Sequence, residues 1–123
     1  MTAFRVLVTD ELSPQAMELL DAAADVRYDV VKRPPKDKLI EIIPEYDALL
    51  VRSSGRIDAD VLAAATRLKV VGRAGAGVDN IDVEAASLRG VMVMNTPGAN
   101  TIATAEHTMT MMLALCRHVP QAD

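Results

Sequence analysis

The 123-residue sequence has one cysteine, no tryptophan, one phenylalanine and two tyrosines. A lone Cys116 excludes an intrachain disulfide and thiolate-rich zinc coordination. Set among Leu113, Leu115 and Met112, it reads as an inert buried thiol. So few aromatics provide no row of rings on which bases could stack. The core must instead be built from Val, Leu, Ile, Ala and Met, and the seven methionines read as core or interface filler. No uninterrupted apolar run approaches the roughly 18 residues of a membrane span. The start, Met-Thr-Ala-Phe-Arg-Val, lacks the basic and long apolar regions of a signal peptide. With a net charge of −4 and no basic run, nucleic acid is a poor partner. The expectation is a cytoplasmic protein bound to neither membrane nor nucleic acid.

What is present is a globular composition, half apolar and about a quarter charged. A chain of this length can bury roughly two-thirds of its unfolded surface around one core. Short apolar runs alternate with helix-like segments. Strands are expected at Phe4–Val8, Val26–Val31, within Asp47–Arg52, at Leu68–Val71 and at Val91–Met94. Ser13-Pro14 predicts an N-cap and first helical residue. Lys36–Ile43 predicts a short helix closed by Pro44. Asp58 and Asp82 are expected to cap helices over Ala59–Ala65 and Val83–Leu88, with Gly90 as a left-handed stop. Ile102–His118 is the longest helical stretch. The alternation implies an α/β fold, a parallel sheet covered by helices on both faces. The last helix has almost no polar face, which predicts a partner for it, either a further domain or another subunit. Packing across this domain's own sheet is the alternative. Pro97-Gly98 marks a boundary, dividing a domain over 1–98 from a hinge and helix over 99–123.

In open parallel sheets, ligands bind beyond the carboxyl ends of the strands. Three successive strands are followed by Arg52-Ser53-Ser54-Gly55-Arg56, by Gly72-Arg73-Ala74-Gly75-Ala76-Gly77 and by Asn95-Thr96-Pro97-Gly98-Ala99-Asn100. Arginines pair bidentately with carboxylate or phosphate. Glycines let backbone N–H groups approach an anion. The combination suits a small ligand with two anionic groups. Taken singly, each arginine also reads as a solvated surface residue, and Gly75-Ala76-Gly77 as a tight turn. The latter is no dinucleotide fingerprint, because Asn80 stands where a third glycine is required. No catalytic residue and no metal site is expected in the chain. His107, His118 and Glu106 lie on the last helix as structural or interface groups, and Asp79 and Asp82 read as a loop brace and a cap.

The segments Val70–Asp82, Gly90–Arg117 and Leu49–Asp58 resemble the D-isomer-specific 2-hydroxyacid dehydrogenases over the whole chain. GRAGAGVDNID with VMNTPGAN is most similar to the members acting on 3-phosphoglycerate. The resemblance implies a flavodoxin-like five-stranded sheet in order 2-1-3-4-5. It also implies a crossover helix leading into a Rossmann-type domain that binds NAD. Arg52 and Ser53 would hold anionic groups of the substrate, and Arg73 would add positive charge. The backbone of Gly75, Ala76 and Gly77 would cradle the carboxylate, with Ala76 close to the cofactor. Asn100 and Thr101 would lie near the substrate or the hinge, and the last helix would mediate a homo-oligomer. The NAD motif, catalytic arginine and Glu–His pair of such enzymes are expected beyond Asp123. The 123 residues alone are therefore expected to be inactive. A stand-alone anion-binding or regulatory module, and a member acting on glyoxylate or hydroxypyruvate, are the competing readings.

Overall fold

The computed structural model describes residues 3–117 and 121. Five parallel strands form one sheet: β1 (Phe4–Val8), β2 (Val26–Val30), β3 (Ala48–Val51), β4 (Val70–Arg73) and β5 (Met92–Met94). Their spatial order is β2-β1-β3-β4-β5. Helices α1 (Pro14–Ala22), α2 (Lys36–Ile42), α3 (Ala59–Ala64) and α4 (Val83–Leu88) make the crossovers, and α5 (Thr101–Arg117) follows β5.

The helix starts obey the capping chemistry. The Ser13 hydroxyl accepts from the Ala16 N–H at 3.2 Å, Asp58 from Val61 at 3.2 Å and Asp82 from Ala85 at 2.9 Å. Gly90 closes α4 with φ near +71°, a conformation costly for residues with a Cβ. Pro44 does not simply end α2, because the chain tightens into a 3-10 turn over Ile43–Glu45 that contains it. That proline lacks the N–H a continuing α-helix would use.

Strand β4 lies two residues later than the apolar run Leu68–Val71 suggests. Leu68 is buried before the strand, and Gly72 and Arg73 are strand residues. Gly72 belongs there for a packing reason. A Cβ at this position would meet Leu50 Cδ2 at 2.8 Å.

Strand side chains alternate between faces. Leu7, Leu49, Val51 and Val71 join Leu39, Ile43, Val61, Leu62 and Ala86 in the core under α2, α3 and α4. The opposite face is covered more thinly than the apolar strands imply. There, Ala16 of α1 and Leu12 border an apolar groove with Leu50, Val70, Gly72 and Met94. Met92 and Met94 remain 62% and 54% exposed.

The last helix also differs from expectation. Every residue of α5 except Ala114 is exposed, so it does not pack across the sheet of its own chain. Ile102, Met109, Met112, Leu113 and Leu115 are open to solvent. Cys116 is accordingly an exposed thiol, not a buried one. His118 lies outside the described residues. Among the described residues, no helix is long and apolar enough to cross a membrane, and no cluster of His, Cys, Asp and Glu could hold a metal ion.

Candidate active-site cleft

Strands β1 and β3 are neighbours, but the chain leaves β1 for β2 on one side and β3 for β4 on the other. Such a reversal opens a crevice at the carboxyl edge of the sheet. A cavity of about 440 Å³ lies there. Its walls are the Glu11–Ser13 turn and Ala16 of α1, Arg52 after β3, Ala74-Gly75-Ala76 after β4, and Thr96, Ala99 and Asn100 after β5. Four expected site residues thus converge: Arg52, Gly75, Ala76 and Asn100.

Arg52 is exposed, and its guanidinium rests on the Glu11 carbonyl oxygen at 3.4 Å. A neutral carbonyl is a weaker partner for Arg than a carboxylate or phosphate, so the group is available to an anionic ligand. The loop after β4 offers fewer N–H groups than its glycines suggest. Ala74 donates to the Val51 carbonyl at 2.9 Å and Gly75 to that of Arg73 at 2.9 Å. The N–H groups of Ala76 and Gly77 have no acceptor among the described residues. Only this pair, not the run of three, keeps N–H groups free for an anion, and of the two only Ala76 lines the cavity.

Arg73 does not reach the cavity as a free charge. It is 9% exposed, pairs with Asp79 at 3.1 Å and lies beneath the glycine loop. A Cβ on Gly77 would come within 2.9 Å of Arg73 Nη1 and 3.0 Å of Asp79 Oδ1, so a larger residue here would displace the Arg73–Asp79 pair. Arg73 props the loop from below, and its buried Nε has no hydrogen-bond partner in the structure. Ser53 is exposed and does not line the cavity, while Thr101 faces a shallow groove along α5 with Thr104 and Met109. Arg56 borders a separate cavity of about 270 Å³ with Arg33 and Lys36, on the α2–α3 side of the sheet edge. There the Lys36 ammonium contacts Asp58 at 2.8 Å and Asp60 at 2.6 Å. Its hydrogen bond to Asp58 holds that carboxyl below its ordinary value.

Three further residues shape the cleft, none singled out by the sequence: Asn80 and Asn95 lie inside the family segments without a role assigned to them, and Asp10 lies outside them. Asp10, just past β1 and buried, accepts from the Arg52 N–H at 2.7 Å and from the Ser54 hydroxyl. Asn80 donates to the Arg52 carbonyl at 2.7 Å and the Gly55 carbonyl at 2.6 Å. Asn95 donates to the Ala76 carbonyl at 2.7 Å. For Asp10 the only sequence signal is a position just beyond a strand end, shared with many residues of no special role.

Residues 6–119 match the family described as D-isomer specific 2-hydroxyacid dehydrogenase, catalytic domain. The chain belongs to that family. Among its relatives in this dehydrogenase family is the D-3-phosphoglycerate dehydrogenase of Mycobacterium bovis, 49% identical over 96% of this chain. The chain spans 22% of that relative's length. A crystal structure of a Thermus thermophilus protein superimposes with TM-score 0.86 and 36% identity, over 97% of this chain and 39% of that one. The NAD+-bound 3-phosphoglycerate dehydrogenase of Entamoeba histolytica gives 0.79 and 32%, over 92% and 39%.

The described residues do not supply a complete dinucleotide site. Gly75-Ala76-Gly77 follows a strand but opens into a loop, not directly into a helix, and it leaves only two backbone N–H groups free. A pyrophosphate cradle needs a glycine turn running into a helix N-terminus.

Proposed function

We propose that this chain is the substrate-binding part of an NAD-dependent D-3-phosphoglycerate dehydrogenase, which oxidises 3-phosphoglycerate to 3-phosphohydroxypyruvate in serine biosynthesis. The observation that carries the reading is the convergence of Arg52 and Ala76, whose N–H is free, on the cavity at the carboxyl edge of the sheet, with the free N–H of Gly77 next along the loop. A ligand with a carboxylate at one end and a phosphate at the other matches one guanidinium and one pair of N–H donors. The two N–H groups receive the carboxylate, and Arg52, exchanging its contact with Glu11, receives the second anionic group, with Ser53 beside it. Arg73 acts through the loop it supports. Asn100 borders the ligand, and Thr101 stands at the hinge. The similarity to D-3-phosphoglycerate dehydrogenases over nearly the whole chain supports this substrate above smaller 2-keto acids.

Residues 1–98 form the substrate-binding unit in this reading. Residues 99–123 form the hinge and a helix that meets a second copy of the chain, with Ala76 as the single contact toward NAD. Hydride and proton transfer require groups the 123 residues do not place at the cleft, so the isolated chain binds without turning over. The test is calorimetric titration of the chain with 3-phosphoglycerate and with D-glycerate, repeated on Arg52→Ala. Saturable binding should need the phosphate. It should weaken in the variant by about tenfold to a hundredfold, as expected for losing a charge-assisted contact worth about 1.5–3 kcal/mol. Equal affinity for D-glycerate, or NAD reduction by the pure chain, would contradict the proposal.

A further inference from the structure

Asp10 presents a difficulty for an anion site. Its carboxylate is 4% exposed and lies directly behind the loop that carries Arg52. By Coulomb's law a negative charge there opposes the binding of any anion in the cleft. Burial is costly for a carboxylate unless hydrogen-bond donors surround it. The donors are present: the Arg52 N–H at 2.7 Å and the Ser54 hydroxyl, both on the loop after β3. Asn80 takes hold of the same loop from the other side. Its side-chain amide donates to the carbonyls of Arg52 and Gly55, at 2.7 and 2.6 Å. The peptide groups on both sides of the Arg52 Cα are thus tied, one to a group following β1 and the other to a group following β4. With its N–H and C=O both fixed, Arg52 has a fixed direction in which its side chain leaves the backbone. That direction carries the guanidinium to Glu11 and the wall of the cavity.

We infer that Asp10 and Asn80 are positioning residues of the anion site: they clamp the Arg52–Gly55 loop from two sides and aim Arg52 into the cleft. The inference rests on the anion-binding reading of the cleft and adds to it two residues that touch no ligand. Preorganisation of this kind matters because a misplaced donor loses most of its interaction with the ligand. Asp10 therefore opposes the anion by charge and assists it by geometry, and geometry is the larger effect.

The opposition of sign makes the inference testable by three variants of the full 123-residue chain, each titrated with 3-phosphoglycerate. Asp10→Ala removes the charge and both hydrogen bonds. Charge alone predicts tighter binding, whereas the clamp predicts affinity weaker by about tenfold. Asp10→Asn removes the charge, but its amide can still accept from the Arg52 N–H and donate to the Ser54 oxygen. It should bind at least as tightly as the wild type. Asn80→Ala should weaken binding by a similar factor to Asp10→Ala. Amide hydrogen exchange guards against a trivial loss of fold. Exchange at Arg52 should accelerate in Asp10→Ala and stay slow in Asp10→Asn, while the amides of β1 and β3 remain protected in all three variants.

Asp10→Ala binding as tightly as the wild type, or more tightly, would overturn the inference and leave the anion site intact. Asp10→Asn losing affinity as Asp10→Ala does would overturn it too, because the hydrogen bonds would then be irrelevant. A wild-type chain that binds neither 3-phosphoglycerate nor inorganic phosphate would overturn the anion site itself, and the positioning role with it. The exchange pattern would then report a loop brace alone.

Discussion

Single residues decide much of this molecule's behaviour at strand ends. Asp47, at the amino edge of the sheet, accepts from the Arg5 N–H at 3.0 Å and from Arg67 at 3.1 and 3.2 Å. The backbone N–H of Arg5 is the larger cause, and Arg67 adds to it, holding the Asp47 carboxyl below its ordinary value. A carboxyl whose folded value is depressed contributes stability above its unfolded value of about 3.9. That contribution is lost as pH falls through the folded value. Asp47→Asn should therefore cost about 1–3 kcal/mol at neutral pH, while the stability curves of the two proteins converge in acid as pH falls through the depressed folded value. Denaturant titrations across pH would show this, and parallel curves would refute it. At this scale the sequence was only partly legible. Arg52 could be singled out because three successive strand ends bring arginines, glycines and amides to one edge. Asp10 and Asn80 could not, because their partners lie more than twenty residues away and, the Ser54 hydroxyl apart, are backbone atoms, which no side-chain pattern encodes. Arg73 was misleading for a related reason. Its neighbours suggested an anion site, but Asp79 and the glycine loop enclose it.

Elements follow the sequence more closely, since caps and periodicity are local. Ser13, Asp58 and Asp82 each cap the helix that their position predicts. The short α4 leans most on its cap: it has six residues, one of them buried, and a nucleus that is costly to form. Asp82→Ala should lower stability by about 1 kcal/mol, read as a shift of the urea midpoint at unchanged slope. No shift would mean that the neighbouring parallel bridge between Ile57 and Ile81 alone holds the turn. The two-residue offset of β4 has a different origin. Glycine has low strand preference, and only the approach of Leu50 shows why Gly72 stands in the sheet. Helix α5 was legible as an apolar helix, but its surroundings were not, because a hydrophobic surface does not specify what covers it.

For the molecule as a whole, the parallel sheet follows from alternating strands and helices, whereas its strand order was implied by the family resemblance. Coverage does not follow so simply. One sheet face is packed by three helices, whereas the other, and α5 beyond it, is not. Exposed apolar area on this scale favours association. The chain should thus run as a dimer in light scattering at high concentration, and Met109→Glu with Leu113→Glu should shift it toward monomer. A wild-type monomer would argue against a second copy as the partner of α5. The uncovered surfaces also share a chemistry. Met92, Met94, Met109, Met111 and Met112 all lie on them, whereas Met17 is half-buried. Thioethers in contact with water oxidise to sulfoxides, which are polar and disrupt apolar contacts. Mild peroxide should therefore modify those five methionines ahead of Met17, and any subunit or domain seated on these faces should shield them. The same side chains that invite a partner thus make the unaccompanied chain sensitive to oxidants, and each sulfoxide formed there makes later assembly harder.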